Sequence, residues 1–226
     1  MFMNKKISKE KKRILIVDDH PMMRQGLAQL IDHEPDLATC AEADTAGQAL
    51  EQVKQLAPDL VLADISLPDK NGLELIKDLQ ALYPTLPVLV VSMHEESLYA
   101  ERVLRAGGRG YVMKQEGGKL LMLAIRQVLA GQIYVSGKMS AKILEIFSGR
   151  RSQTATTPAE LLSDREFEVF QLIGRGKGTR DIAGLLHLSV KTVEVHRANL
   201  KKKLELKTAH DLVHYAIRWM EAEPQG

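Results

Sequence analysis

The chain has 226 residues, of which 45% are hydrophobic, so it can form one large domain or two small ones. Its net charge of +2 does not by itself require a polyanionic partner, and its single cysteine, Cys40, excludes an internal disulfide and favours a reducing, cytoplasmic location. No apolar stretch approaches the roughly 18 residues that could span a bilayer, so no membrane partner is expected.

Five short apolar runs alternate with stretches of helical periodicity in the first part of the chain. The runs, at residues 13–17, 37–43, 60–64, 88–92 and 110–114, are predicted strands. Helices are predicted after them, at about residues 21–31, 49–56, 73–82, 95–106 and 119–130. This alternation predicts an α/β fold, a five-stranded doubly wound parallel sheet with right-handed crossovers.

The two ends of the chain have a different character. Residues 1–12 are rich in lysine and have no apolar run, which predicts a disordered tail. We place the α/β domain at residues 13–133. A linker with a short helix follows at residues 134–160, because residues 148–158 are small and polar and end in proline.

Residues 161–226 contain no strand-like run and are predicted to form an all-α second domain. Helices are predicted at about residues 164–173, 180–186, 190–204 and 209–221. The predicted N-caps are Ser163, Thr179, Ser189 and Thr208. From Arg150 onward there are 13 Lys and Arg against 10 Asp and Glu, a balance of +3.

Charged and hydroxyl side chains stand at the ends of four predicted strands. They are Asp18, Asp19, Asp64, Ser92 and Lys114. The carboxyl ends of parallel strands lie at one edge of a sheet, so these side chains can converge. Three neighbouring carboxylates repel one another unless a counter-ion is present, and Mg²⁺ is the cation that suits oxygen ligands and phosphate. A phosphoryl group at this edge would meet Mg²⁺, Lys114 and Ser92, with Asp64 as a nucleophile that forms an acyl phosphate.

Each of these residues also has a simpler interpretation. Asp18 and Asp19 can cap the helix that starts near Pro21, Ser92 can cap the helix near residue 95, and Lys114 can be a solvated charge. The coincidence of all these positions at one sheet edge favours the site.

These residues, in this order and on these strands, resemble the receiver domain of two-component response regulators, a flavodoxin-like fold. The resemblance covers about residues 13–132. It implies that Asp64 accepts phosphate from a histidine kinase and that Lys114 contacts the phosphoryl group. It also implies that Asp18, Asp19 and Asp64, with the backbone carbonyl of Ser66, bind Mg²⁺.

The resemblance further implies a switch formed by Ser92 and Tyr111, in which the hydroxyl turns toward the phosphate and the ring follows. Pro21, Met22 and Met23 lie where such domains dock the kinase, although Met23 also fits a core position. The chain departs from the family at Ser92, where threonine is commoner, and at Met93, where a small residue is usual.

The third helix of the second domain has two unlike faces. Val193, Leu200 and Leu204 share one face at helical spacing. On the opposite face, Glu194, Val195 and Ala198, with Lys191, are placed to read base edges in a major groove, and Thr192 flanks them. Phosphates would be met by Lys177, Arg180, Lys201, Lys202 and Lys203. The alternative on charge alone is a helical protein-interaction module with a solvated lysine run.

The segments at residues 162–169, 181–183, 192–199 and 203–204 look like the LuxR/GerE-type helix-turn-helix. Together with the receiver they place the chain among NarL/FixJ-type response regulators. The family implies double-stranded DNA as a partner and a homodimer on activation, with the last helix at the dimer interface. Candidate residues for that interface are Leu212, Val213, Ala216, Ile217 and Met220.

We therefore interpret the chain as a phosphorylation-controlled transcription regulator rather than a classical enzyme. A phosphatase of the haloacid-dehalogenase type is the competing enzyme class, but it needs a second Asp two residues after the nucleophile, where this chain has Ser66. A regulator that binds DNA without ever receiving phosphate is the third possibility.

Overall fold

The computed structural model describes residues 11–147 and 158–222. The chain divides into two compact units, one built on a β-sheet and one that contains the helices from Gly137 onward together with residues 97–102. Residues 1–10 of the predicted tail and residues 148–157 of the predicted linker lie outside the described residues. Among the described helices, none has both the length and the apolar character that crossing a membrane requires.

The first unit is built on five parallel strands in the order β2-β1-β3-β4-β5. Their bounds are β1 Lys12–Val17, β2 Leu37–Ala43, β3 Leu60–Ala63, β4 Val88–Ser92 and β5 Gly110–Met113. The central strands β3 and β4 are buried along their whole length, as expected of a parallel sheet covered on both faces. The predicted α/β fold is confirmed.

Five helices alternate with the strands. They are α1 Pro21–Asp32, α2 Ala46–Leu56, α3 Gly72–Leu82, α4 Glu96–Arg105 and α5 Gly118–Leu129. Proline begins α1, where its fixed φ suits the first helical position. The side chains of Thr45 and Asn71 accept hydrogen bonds from the first turns of α2 and α3. These caps fix where the loops after β2 and β3 end.

The second unit contains only helices in its described part, as predicted. They are α6 Gly137–Phe147, α7 Pro158–Leu161, α8 Asp164–Gly174, α9 Thr179–Leu185, α10 Val190–Lys203 and α11 Ala209–Ala222. The short α7 was not predicted, because four residues carry too little periodicity. Residue Lys12, predicted as tail, begins β1.

Side-chain caps define the starts of the helices in the second unit. Ser163 forms a capping box with Glu166, and Ser189 accepts from the backbone N–H of Thr192. Thr208 Oγ1 accepts from the N–H of Asp211 at 3.1 Å just before α11. The prediction for α9 was wrong: Gly178 is the N-cap and Thr179 is the first helical residue.

The core of the second unit is aromatic. Trp219 on α11 packs against Phe167 and Phe170 of α8, with ring centroids 5.7 and 5.5 Å apart. Leu212 and Ala216 are fully buried, so these two residues of the predicted dimer seam are core residues, whereas Val213, Ile217 and Met220 are half-buried.

Candidate functional site

Two adjacent strands deliver the two most buried carboxylates of the first unit. Asp18 follows β1 and Asp64 follows β3, and the register pairs Val17 with Ala63 immediately before them. The N–H of Asp64 donates to the carbonyl of Val17 at 2.8 Å, which continues the ladder between β1 and β3 as far as Asp64. The predicted convergence at the carboxyl edge of the sheet is therefore present.

Lys114, which follows β5, reaches both carboxylates with one ammonium group. Its Nζ lies 2.6 Å from Asp18 Oδ2 and 2.7 Å from Asp64 Oδ2. The three side chains are only 3%, 2% and 4% exposed, respectively. Burial opposes the charged ammonium, but the carboxylates of Asp64 and Asp18 outweigh it and raise the pKa of Lys114.

The acidic residues form a group that can hold one metal ion. Asp18, Asp19, His20 and Asp64 each present a ligand atom, and these atoms all lie within 4.8 Å of one another. Oxygens on opposite sides of an octahedral Mg²⁺ are about 4.2 Å apart, so the widest spacing in this group would close by roughly 0.6 Å or less around a single ion. With three ionised carboxylates and one ammonium, the group has a formal charge that a divalent cation neutralises. The Ser66 carbonyl as a further ligand stays a prediction.

The geometry brings together all three predicted aspartates and Lys114, and it adds His20. Sequence reasoning did not single out this residue, because a histidine beside two aspartates at a helix start has no distinctive spacing. Arg24 was also missed: its Nη1 donates to the Asp18 carbonyl at 2.6 Å and thereby holds the loop before α1 in place.

Ser92 and Tyr111, the predicted switch pair, occupy neighbouring strands. The register pairs Tyr111 with Val90, so Ser92 lies two residues further along the same side of the sheet. Ser92 is fully buried, and its Oγ makes no hydrogen bond with any described residue. A buried hydroxyl in this position is available to an incoming oxygen ligand.

The Tyr111 ring is already in the interior. Its side chain is buried, and Oη donates to the backbone carbonyl of His94 at 2.8 Å. Burial raises the pKa of the Tyr111 phenol, the nearby Ser92 hydroxyl partly offsets that rise, and the charge of Asp64 adds to it. The phenol is therefore a neutral donor that ties β5 to the loop after β4.

His94 also borders the mouth of the site. Its Nε2 lies 3.0 Å from Ser66 Oγ, which joins the loop after β4 to the loop after β3. Met93, the residue before His94, has an exposed side chain. No sequence signal pointed to His94, because the contact depends on how two irregular loops approach each other.

Gly72 allows the loop after β3, which begins at Asp64, to pack closely against the start of α3. A Cβ built on Gly72 would lie 2.1 Å from the Asp64 carbonyl oxygen and 2.8 Å from Ile65 Cα, both backbone atoms that cannot move aside freely. The N–H of Gly72 donates to the Ile65 carbonyl at 2.8 Å. Glycine is needed here for close approach, not for a positive φ.

We expect Gly72→Ala to lower the free energy of unfolding by about 3 kcal/mol or more, because the added methyl meets backbone atoms of Asp64 and Ile65. Urea denaturation followed by circular dichroism measures this change. Gly26→Ala is the matched control: nothing lies within 4 Å of its Cβ, and alanine favours α1. Equal stability of the two variants would contradict the close approach.

In the second unit, α9 and α10 present a mixed surface. The helices bury Ile182, Ala183, Val193 and Leu200. The residues predicted to meet DNA that are exposed are Lys177, Arg180, Lys191, Glu194, Val195, Ala198 and Lys202, while Thr192 and Lys201 are half-buried. Val195 is 52% exposed on this surface.

Two predictions about this surface need correction. Lys203, predicted to meet phosphate, instead places Nζ 2.6 Å from Glu166 Oε2 and links α10 to α8. Leu204, placed by its spacing on the same face as Val193 and Leu200, is only half-buried as the C-cap of α10. Helical spacing gives the face of a residue but not its distance from the neighbouring helix.

Two family models match the chain. Residues 14–126 match the response regulator receiver domain, and residues 160–216 match the bacterial regulatory proteins of the luxR family. The oxygen regulatory protein NreC of Staphylococcus haemolyticus is 34% identical over 210 residues, covering 91% of this chain and 97% of that protein. NreC of Staphylococcus aureus is 35% identical over the same length and shares of the two chains.

Solved structures of response regulators are also similar to this chain. A two-component response regulator of the LuxR family from Aurantimonas sp. SI85-9A1 is 34% identical, with a TM-score of 0.57 over 62% of this chain and 99% of that chain. The RcsB response regulator of Salmonella typhimurium is 23% identical and shares the fold, with a TM-score of 0.64 over 92% of this chain and 98% of that one. A further RcsB structure, 24% identical with a TM-score of 0.62 over the same shares, is bound to a promoter in the presence of a phosphomimetic.

Proposed function

Because this chain belongs to the two-component response regulators that join a receiver domain to a luxR-family domain, we propose that it is a DNA-binding transcription regulator switched by phosphorylation of Asp64. The observation that carries this proposal is the contact of a single buried ammonium, Lys114 Nζ, with both Asp18 and Asp64 at the carboxyl edge of the sheet.

The proposed reaction transfers a phosphoryl group from a histidine kinase to Asp64. An oxygen of the Asp64 carboxylate attacks phosphorus, the O–P bond forms, and the P–N bond of the donor phosphohistidine breaks, leaving its imidazole. The backbone N–H of Ile65 holds Asp64 Oδ1 at 2.7 Å and so fixes the orientation of the carboxylate. Lys114, already at Asp64 Oδ2, is placed to meet the negative oxygens of the phosphoryl group.

Mg²⁺ is the proposed cofactor, held by Asp18, Asp19 and Asp64, and when bound it supplies positive charge that shields the transferring phosphoryl oxygens. The side chains of Asp18, Asp64 and Lys114 are largely shielded from water and hold one another in place. Asp18 and Lys114 are buried beside Asp64, so each charge in the group acts at short range with little screening by water.

The proposed switch follows from the buried polar groups around the acceptor. The Ser92 hydroxyl lies near the Tyr111 phenol without a well-formed hydrogen bond among the described residues, and it can donate to a phosphoryl oxygen. The Tyr111 hydroxyl donates to the backbone carbonyl of His94, and the His94 ring contacts Ser66 in the loop after β3. A phosphoryl group on Asp64 therefore acts on two loops and on β5, and shifts a pre-existing equilibrium between two arrangements.

The proposed kinase contact is the start of α1. The side chain of Met22, close in the chain to Asp18 and Asp19, is 82% exposed, and Pro21 is exposed too. Met23 instead packs against the core of the sheet unit. This distribution supports docking by Pro21 and Met22 and a structural role for Met23.

The proposed DNA contact is the outward face of α10. Glu194, Val195 and Ala198 lie on this face, together with Lys191 at its start. Val195 can contact a thymine methyl, and Glu194 can accept from a cytosine amino group. Val213, Ile217 and Met220 on α11 are the proposed seam of a homodimer formed on activation.

Lys202→Ala is expected to weaken binding to all DNA sequences alike and to lower the salt slope of the affinity by about one unit, because an exposed lysine contributes one phosphate contact. Fluorescence anisotropy of labelled duplexes over a salt series measures both quantities. Lys203→Ala removes the same charge one residue further on, but Lys203 is paired with Glu166, so its slope should stay near that of the unsubstituted protein. A larger change of the salt slope in Lys203→Ala than in Lys202→Ala would show that Lys203, and not Lys202, contacts phosphate.

Selection of bound duplexes from a random pool, with and without a small acyl phosphate donor and Mg²⁺, tests the proposal as a whole. We expect a two-fold symmetric sequence to be enriched, and enriched more strongly after phosphorylation. The absence of any enriched sequence under both conditions would overturn the DNA-binding assignment. Equal enrichment under both conditions would overturn the switch.

A further inference from the structure

His20 lies at the start of α1, but its side chain does not cap the helix. It is the N-cap, with extended backbone, but its side chain makes no capping hydrogen bond. Its backbone N–H donates to Asp18 Oδ1 at 2.9 Å, which fixes its position against the acidic group. The imidazole is free to turn toward the carboxylates, and it does.

The imidazole nitrogen converges on two carboxylates. His20 Nδ1 lies 2.6 Å from Asp19 Oδ1 and 3.3 Å from Asp18 Oδ1. The shorter contact does not have the geometry of a hydrogen bond, and Asp19 Oδ1, although enclosed, has no hydrogen-bond partner among the described residues. When Nδ1 carries the proton it can donate to Asp18 Oδ1, and a cation held by the carboxylates would take the place of that proton.

A nitrogen donor changes which cation such a group prefers. Mg²⁺ prefers oxygen ligands, whereas imidazole nitrogen binds first-row transition-metal dications more strongly. With its proton on Nε2, the His20 ring presents a lone pair at Nδ1. Because the side chain is 67% exposed, the ring can adjust to the longer bonds of a larger ion without disturbing the buried carboxylates.

We infer that His20 is a fourth side-chain ligand of the cation site and that it gives the site a preference for Mn²⁺, and for first-row transition-metal dications as a class, over Mg²⁺. This inference rests on the proposed function, in which Asp18, Asp19 and Asp64 hold a divalent cation. It assigns to the chain a choice of metal that the three carboxylates alone do not specify.

The test uses the full chain and two ions, with electron paramagnetic resonance as the readout. Titration with Mn²⁺ gives its affinity from the signal of the free ion, and displacement by Mg²⁺ gives the affinity for Mg²⁺. His20→Asn is expected to weaken Mn²⁺ binding about tenfold and to change Mg²⁺ binding by less than about twofold. Pulsed measurements should detect a nitrogen coupled to bound Mn²⁺ in the unsubstituted protein and none in the variant.

His33→Asn is the matched control, since it makes the same change in an exposed histidine just after the other end of α1. It should leave both affinities unchanged. Absence of nitrogen coupling, or equal weakening of both ions by His20→Asn, would overturn the role of His20 and leave the proposed function standing. Failure of either ion to bind the unsubstituted protein, or unchanged binding in Asp64→Asn, would overturn the cation site itself.

Discussion

Asp64→Asn is expected to abolish phosphoryl uptake, with a loss of at least about a thousandfold in the rate of transfer from a small acyl phosphate donor in the presence of Mg²⁺. An amide oxygen is a poor nucleophile, and the substitution also removes one of the two carboxylates that Lys114 contacts. The shape of the site is retained, because the amide oxygen can still accept from the Ile65 N–H. Intact-protein mass spectrometry measures the gain of one phosphoryl group.

The matched control is Asp69→Asn, five residues further along the same loop. Asp69 accepts hydrogen bonds from the N–H groups of Ala46 and Gly47 and lies outside the acidic group. The control variant should gain the phosphoryl group as the unsubstituted chain does. A full mass gain in Asp64→Asn would show that another residue is the acceptor.

The second large effect is expected at Lys114. Lys114→Met keeps the length of the side chain but leaves Asp18 and Asp64 buried without their shared ammonium. Breaking a buried ion pair by removing one partner costs about 3 kcal/mol or more. We expect the protection of β1 and β3 amides against hydrogen exchange to fall accordingly in the absence of divalent cation, and to recover in part when Mg²⁺ is added.

The same variant should transfer phosphoryl groups about a hundredfold more slowly even with Mg²⁺ present, because the positive donor aimed at the phosphoryl oxygens is missing. Lys119→Met, at an exposed position on α5, provides the control for loss of a lysine in this unit. Unchanged protection of β1 and β3 in Lys114→Met would contradict the view that this ammonium balances the two carboxylates.

The sheet and its acidic edge could be predicted because they depend on local patterns. Continuous apolar runs identify buried parallel strands, and their carboxyl ends must lie at one edge, so Asp18, Asp64 and Lys114 had to be near one another. Caps such as Ser163 and Ser189 were predictable for the same reason, since a cap acts only on the next turn.

The contacts that sequence reasoning missed all depend on the course of irregular loops or on the spacing between helices. His94 meets Ser66 only because the loops after β3 and β4 approach each other, and His20 turns to Asp19 only because its backbone is extended before Pro21. Lys203 belongs to a lysine run that looks solvated, yet α10 lies close enough to α8 for it to reach Glu166. No periodicity encodes such distances.

The most direct test of the central claim is the affinity of the full chain for its selected duplex, measured by fluorescence anisotropy before and after incubation with an acyl phosphate donor and Mg²⁺. We expect phosphorylation to raise the affinity of the unsubstituted protein by about tenfold or more and to leave that of Asp64→Asn unchanged. An equal rise in both proteins, or no rise in either, would contradict control of DNA binding through Asp64.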